Sequence, residues 1–174
     1  MHSFDRYGLF LIKAERYEDA LSIYRQMHDV ASSISDLSWA STAIARIGGV
    51  YRSQGRHPEA LSTLMNALRL KQEIGDKKGQ ASVHIWIGDL MKQKDPEVAI
   101  KHYSSALSVD SSHDEIREAD LKWKIAKCYA EKGITDAAKS MADQAFDIYK
   151  KNKNKKGMHS IKQWRRARQA ISTQ

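Results

Sequence analysis

The sequence predicts an all-α chain: an α-solenoid of about four stacked helical hairpins closed by a C-terminal capping helix. Three observations carry this. Ala, Leu, Lys, Glu, Gln and Arg, all good helix formers, fill the chain, and prolines number only 2 in 174 residues. Glycines recur at Gly8, Gly48 and Gly88, spaced by 40 residues, each three residues ahead of a large side chain at Leu11, Tyr51 or Met91. A trailing set, Ala20, Ala60, Ala99 and Ala138, keeps nearly the same period, and a fixed period of this kind marks a repeat array.

The elements follow from local chemistry. Ile47 to Ala67 reads as one complete hairpin: Gly48 and Tyr51 mark a face of the first helix and Gly55 ends it. Pro58 opens the second helix, and Ala60, Leu64 and Ala67 mark its inner face. Shifting back by 40 gives Gly8, Leu11, Ala20, Leu21, Tyr24 and Met27; shifting forward gives Gly88 and Met91. Ala99, Ile100, Tyr103 and Ala106 then come one residue early, so the turn near Lys94-Asp95 is one shorter. Ala126, Tyr129, Gly133, Ala138, Ala142 and Ala145 form the fourth unit. The small residues allow two helices to approach closely, with the alanines expected to supply the matching gap on the second helix. Asp95-Pro96-Glu97 is an N-cap followed by proline at the first helical position, Gly55 and Gly133 suit left-handed C-caps, and Ser112-x-x-Glu115 suits a capping box. Helices are expected at about 3–14, 17–33, 37–54, 58–74, 77–93, 96–109, 113–132, 135–151 and 157–171. The repeat array covers 1–151 in units of about 1–35, 36–75, 76–111 and 112–151, and 152–174 is the basic cap.

The pattern Gly48-x-x-Tyr51-x-x-x-Gly55-x-x-x-x-Ala60, with Ala67 beyond, resembles the tetratricopeptide repeat. The resemblance covers most of 3–151, best in the second unit. The period is longer than the family's usual one, as in Leu-Gly-Asn-repeat adaptors, kinesin light chains and bacterial peptide-sensing regulators. It implies a right-handed superhelix whose first helices line a concave, partner-binding face. Transferred to this chain, that face carries Asp5, Arg6, Leu9 and Lys13, then Ala45, Arg46, Gly49 and Arg52. Ile85, Trp86, Asp89 and Lys92 follow, and then Trp123, Lys124 and Lys127. Tryptophans among cations suit a protein or peptide partner of acidic and apolar character. Trp86 and Trp123 have an alternative place in the core between helices. The clamp by which some members hold a C-terminal carboxylate is absent: its asparagines are missing, and only Arg46 matches.

Charge is distributed unevenly. Of 29 basic residues, nine lie between Lys150 and Arg168, and the first 149 residues hold 20 basic against 21 acidic ones. Lys155-Lys156-Gly157-x-x-Ser160-Ile161-x-x-Trp164 repeats Lys77-Lys78-Gly79-x-x-Ser82-Val83-x-x-Trp86, so the last segment starts like another first helix. It then places Arg165, Arg166 and Gln169 where Ile87, Gly88 and Met91 receive a second helix, as a solvent-facing cap requires. Lys155, Lys156, Arg165, Arg166 and Arg168 form a basic tail that gives nucleic acid or an anionic surface as the second binding hypothesis. Its apolar positions, Ile161, Trp164 and Ile171, are too few for membrane insertion.

No zinc-protease, phosphate-loop, dinucleotide or nucleophile-elbow motif occurs, so neither catalysis nor a cofactor is expected. The seven histidines are scattered without metal-ligand spacing, and Cys128 sits inside a predicted helix as a packed residue. One cysteine and no secretory signal point to a reducing compartment, the cytoplasm or the nucleus. Phe4, Tyr7 and Leu11 are expected on an open N-terminal face suited to self-association.

Overall fold

Aspartate starts most of the first helices. Asp36 accepts from the Trp39 amide at 3.0 Å, Asp76 from Gly79 at 2.8 Å and Asp114 from Arg117 at 3.0 Å, and Asn154 serves Gly157 at 2.9 Å. The protein is described by a computed structural model that covers residues 1–110 and 114–172, with side chains through 168. Ser112 of the expected capping box lies outside the described residues, and Asp114 caps that helix. Among the described residues there are nine helices and no strand: α1 His2–Lys13, α2 Tyr17–Ser33, α3 Leu37–Ser53, α4 His57–Glu73, α5 Lys77–Met91, α6 Pro96–Val109, α7 Glu115–Glu131, α8 Thr135–Lys151 and α9 Lys155–Ser172.

The turns within hairpins are built by one left-handed residue. Glu15, Gly55 and Gly133, at φ of 57°, 74° and 73°, let the next amide reach back to the last turn, as Arg56 N–H does to the Tyr51 carbonyl at 2.9 Å. The third hairpin lacks this residue. Its shorter turn closes through Asp95 N–H to the Met91 carbonyl at 2.7 Å, and Asp95 then caps α6 through the amides of Glu97 and Val98.

Each hairpin closes over its small residue. A Cβ built on Gly8 would lie 2.3 Å from Cζ of Tyr24, one on Gly48 2.8 Å from Cγ of Leu64, and one on Gly88 2.5 Å from Cε1 of Tyr103. The expected pairing of glycine with alanine is therefore corrected. The body that fills the gap is the residue one turn beyond Ala20, Ala60 or Ala99, because helical side chains lean toward the N-terminus. The fourth hairpin has Ala126 and Ala142 at the two places, both fully buried. Leu11 is also corrected. It is fully buried against α2, while Tyr7 at 48%, Leu9 at 36% and Phe10 at 60% are the exposed large apolar side chains of α1.

Junctions between hairpins use a second fit. Gly79 makes room for Lys71, whose Cδ would lie 2.6 Å from an added Cβ, and Gly157 makes room for Tyr149, whose Cγ would also lie 2.6 Å away. This explains the glycine in the repeated Lys-Lys-Gly. Lys71 is 4% exposed, and its ammonium meets Asp76 at 2.9 Å and Thr42 at 3.1 Å.

Candidate binding groove

Successive first helices touch side by side, α1 on α3 and α3 on α5, and their facing side chains form a ladder. Arg46 donates to Asp5 through Nε at 2.6 Å and Nη2 at 2.9 Å, a two-point pair between α3 and α1. The same guanidinium lies 5.6 Å from the centre of the Trp86 ring, and Arg52 lies 5.9 Å from it. Arg52 reaches Asp89 at 3.7 Å; Lys124 on α7 and the Tyr103 hydroxyl at 2.8 Å both donate to the same carboxylate. Lys127 stands 5.5 Å over Trp123, which meets Trp164 of α9 edge to face at 5.3 Å.

Most of the expected groove residues are therefore joined to one another. Gly49 leaves the approach to Trp86 open, with Cζ3 4.0 Å from an added Cβ. Trp86 is half-buried, packed on the second-hairpin core with two guanidiniums on its ring. Trp123 is half-buried in the seam between α7 and α9. Lys92 and Arg6 are exposed.

Asp89 is the electrostatic centre. Burial pushes its carboxyl up, but the hydrogen bonds from Lys124 and Tyr103 and the charges of Lys124 and Lys92 outweigh this, leaving it below the ordinary carboxylate value. Tyr103 is pushed up by burial and then by its bond to Asp89. Lys127 is pushed down by burial and by the neighbouring Lys124 and Lys92 charges. Burial raises the Cys128 thiol too, against the lowering charges of Lys127 and Lys92, which favours its protonated form.

Two clefts open on this face. One of about 440 Å³ lies between α1, α3 and α5, walled by Trp39 and Trp86 with Arg46 at its side. The other, about 350 Å³, lies between α5 and α7 and holds Asp89, Lys92, Lys124 and Lys127. The tail divides in two. Arg165 reaches back to Asp143 at 2.5 Å and lies 4.9 Å from the Phe146 ring, with its side chain still 35% exposed. Arg168 donates to the Ala130 carbonyl at 2.9 Å, while Lys155, Lys156 and Arg166 are exposed.

Sequence reasoning missed the pairing roles of Asp5 and Tyr103, and a histidine pair. The Nδ1 atoms of His84 on α5 and His102 on α6 lie 3.0 Å apart. The available signal was their place on facing helices of one hairpin. Among the described residues no group of three or more His, Cys, Asp or Glu is arranged to hold a metal ion. No described helix is long and apolar enough to cross a membrane.

Hairpins stacked in one register, with a side-chain ladder across their first helices, define a helical-repeat scaffold. The tetratricopeptide repeat family model matches residues 1–73 and again 40–112, and the chain belongs to that family. Solved structures share the fold. BtubC (BKLC) from P. vanneervenii is 18% identical with a TM-score of 0.76, covering 98% of this chain and 80% of that one. Kinesin light chain TPR-like repeats from Podosopora anserina are 12% identical with a TM-score of 0.69, covering 98% and 95%. The Rap conjugation gene regulator of plasmid pLS20, solved with the Phr* peptide, is 14% identical with a TM-score of 0.75, and 43% of its length is covered by 89% of this chain. A comparison with curated protein sequences finds no match.

Proposed function

We propose that the protein is a non-catalytic adaptor or regulatory module that grips a peptide segment of a partner protein along its first helices. The observation that carries this is Trp86. Its indole is half-buried beside an open cleft and held in place by Arg46 and Arg52, each anchored in turn by an aspartate. A fixed aromatic–arginine cluster in a groove is the kind of anchor that dominates peptide binding. The Rap regulator of similar fold, solved with a peptide, supports the same reading. Apolar segments with acidic flanks fit the mixture of indole and cations.

The test is affinity capture with the whole chain, followed by titration of the recovered partner's peptides. Tryptophan emission should change on binding, and Trp86→Ala should weaken binding at least about tenfold. Equal affinity of the Trp86→Ala variant and the parent for a confirmed peptide would remove the groove from the mechanism.

A further inference from the structure

The cleft between α5 and α7 is unbalanced in charge. Its walls include the Tyr103 ring and Cys128, and Lys92, Lys124 and Lys127 converge on it. Asp89 and Glu131 are its carboxylates, and Arg52 reaches Asp89 from α3. Asp89 is already committed to Lys124, Arg52 and Tyr103. Lys92 and Lys127 have no carboxylate within 4.0 Å among the described residues; Lys127 leans on the Trp123 ring instead. Like charges gathered at one cleft repel one another, and an anion entering it relieves that repulsion.

We propose that this cleft takes an acidic side chain of the bound segment, its carboxylate held between Lys92 and Lys127 and its methylenes lying against Tyr103 and Cys128. The proposal rests on the reading of the groove as a peptide channel. A carboxylate fits better than a phosphate group. The two free cations are lysines, which act as point charges, whereas the guanidiniums suited to phosphate are held by Asp5 and by Asp89 with Trp86. Backbone amides inside α5 and α7 are used by their own helices. The Trp86 anchor and this subsite are neighbours, since Arg52 touches both Trp86 and Asp89. An apolar residue of the segment therefore lies close to the acidic one.

The probe is a set of acetylated, C-terminally amidated peptides of Leu and Ala carrying one Asp at each position in turn, with Asn and phosphoserine counterparts. They are titrated against the full chain by anisotropy and tryptophan emission. In the best register the Asp peptide should bind about five- to tenfold more tightly than its Asn counterpart. Lys92→Met/Lys127→Met should abolish that difference and Lys92→Arg/Lys127→Arg should keep it. Melting curves confirm that both variants fold. Equal binding of Asp and Asn peptides, survival of the preference in the methionine pair, or a phosphoserine preference each overturns the proposal. If peptides still bind with a Trp86-dependent response, the subsite alone falls; if none binds, the groove reading falls with it.

Discussion

Gly88 lies flat against the ring of Tyr103, with room for no further atom: a Cβ there would stand 2.5 Å from Cε1 and 2.8 Å from Cδ1. The ring cannot simply swing away, because its hydroxyl is held by Asp89. Gly88→Ala should therefore cost about 1–3 kcal/mol by overpacking, despite the better helix propensity of alanine. Gly49→Ala is the control, since its nearest neighbour is 4.0 Å away. It should be neutral or stabilising by up to about 1 kcal/mol. Denaturant melts of the two variants decide the matter, and equal effects would refute the packing account.

Asp89 ties three hairpins together through Arg52, Tyr103 and Lys124. Asp89→Asn should destabilise the chain by about 1–3 kcal/mol, by leaving clustered cations without their counter-charge. The parent should show the matching acid response. A carboxyl held below its ordinary value of 3.8 stabilises fully above that pH and loses this contribution as pH falls through the lower, native value. Urea midpoints of parent and variant should therefore converge at the acid end.

The His84–His102 pair gives a second pH window. His84 is pushed down from 6.5 to about 4, first by burial and then by the facing His102, which burial also lowers. With the native value depressed, the unfolded chain takes the proton first. Stability from this source is complete above about pH 6.5, declines as pH falls towards 4, and levels off below. Tm should drop by several degrees across that interval. His84→Leu should flatten the slope; an unchanged slope would place its origin elsewhere.

The cap helix should be held more by its indole than by its ion pair. Arg165 and Asp143 are 35% and 48% exposed, so Asp143→Ala should cost no more than about 1 kcal/mol. Trp164 packs on Trp123 and carries Arg168 over its ring at 5.2 Å. Trp164→Ala should speed amide exchange throughout α9 while α3 and α4 keep their protection. Uniform acceleration would show that the cap and the array unfold together.

Much of the fold was legible because hairpin packing imposes small residues at fixed intervals. Gly8, Gly48 and Gly88 stand out in the sequence for the same reason that they touch Tyr24, Leu64 and Tyr103 in the structure. The left-handed turns were legible only where glycine makes them. Glu15, Ser35 and Lys153 adopt φ of 57°, 57° and 54° with no glycine to signal it. The groove was less legible. Period and register place Arg46, Arg52, Trp86 and Lys124 on one face. They do not reveal that Asp5 closes around Arg46 and that Asp89 gathers Lys124 and Arg52, because those pairings span 35 to 41 residues and depend on rotamers. Lys71 shows the same limit. A lysine in a helix reads as surface, and only Gly79 opposite, with Asp76 and Thr42 to receive the ammonium, makes its burial possible.

The junction fits carry a consequence for the order of the hairpins. At two seams the residue eight places before the first-helix contact is wide where that contact is a glycine: Lys71 with Gly79, Tyr149 with Gly157. A wide residue on one side is met by an absent side chain on the other. The seams are keyed, so the units are not interchangeable bricks. Transplanting α3 behind α4 or α8 would set Trp39 against Lys71 or Tyr149, with no hollow to receive it. Exchanging α5 and α9 between their seams would preserve the hollow. The chain thus records its own assembly order in side-chain volume, and a shuffled array would fail first at its seams.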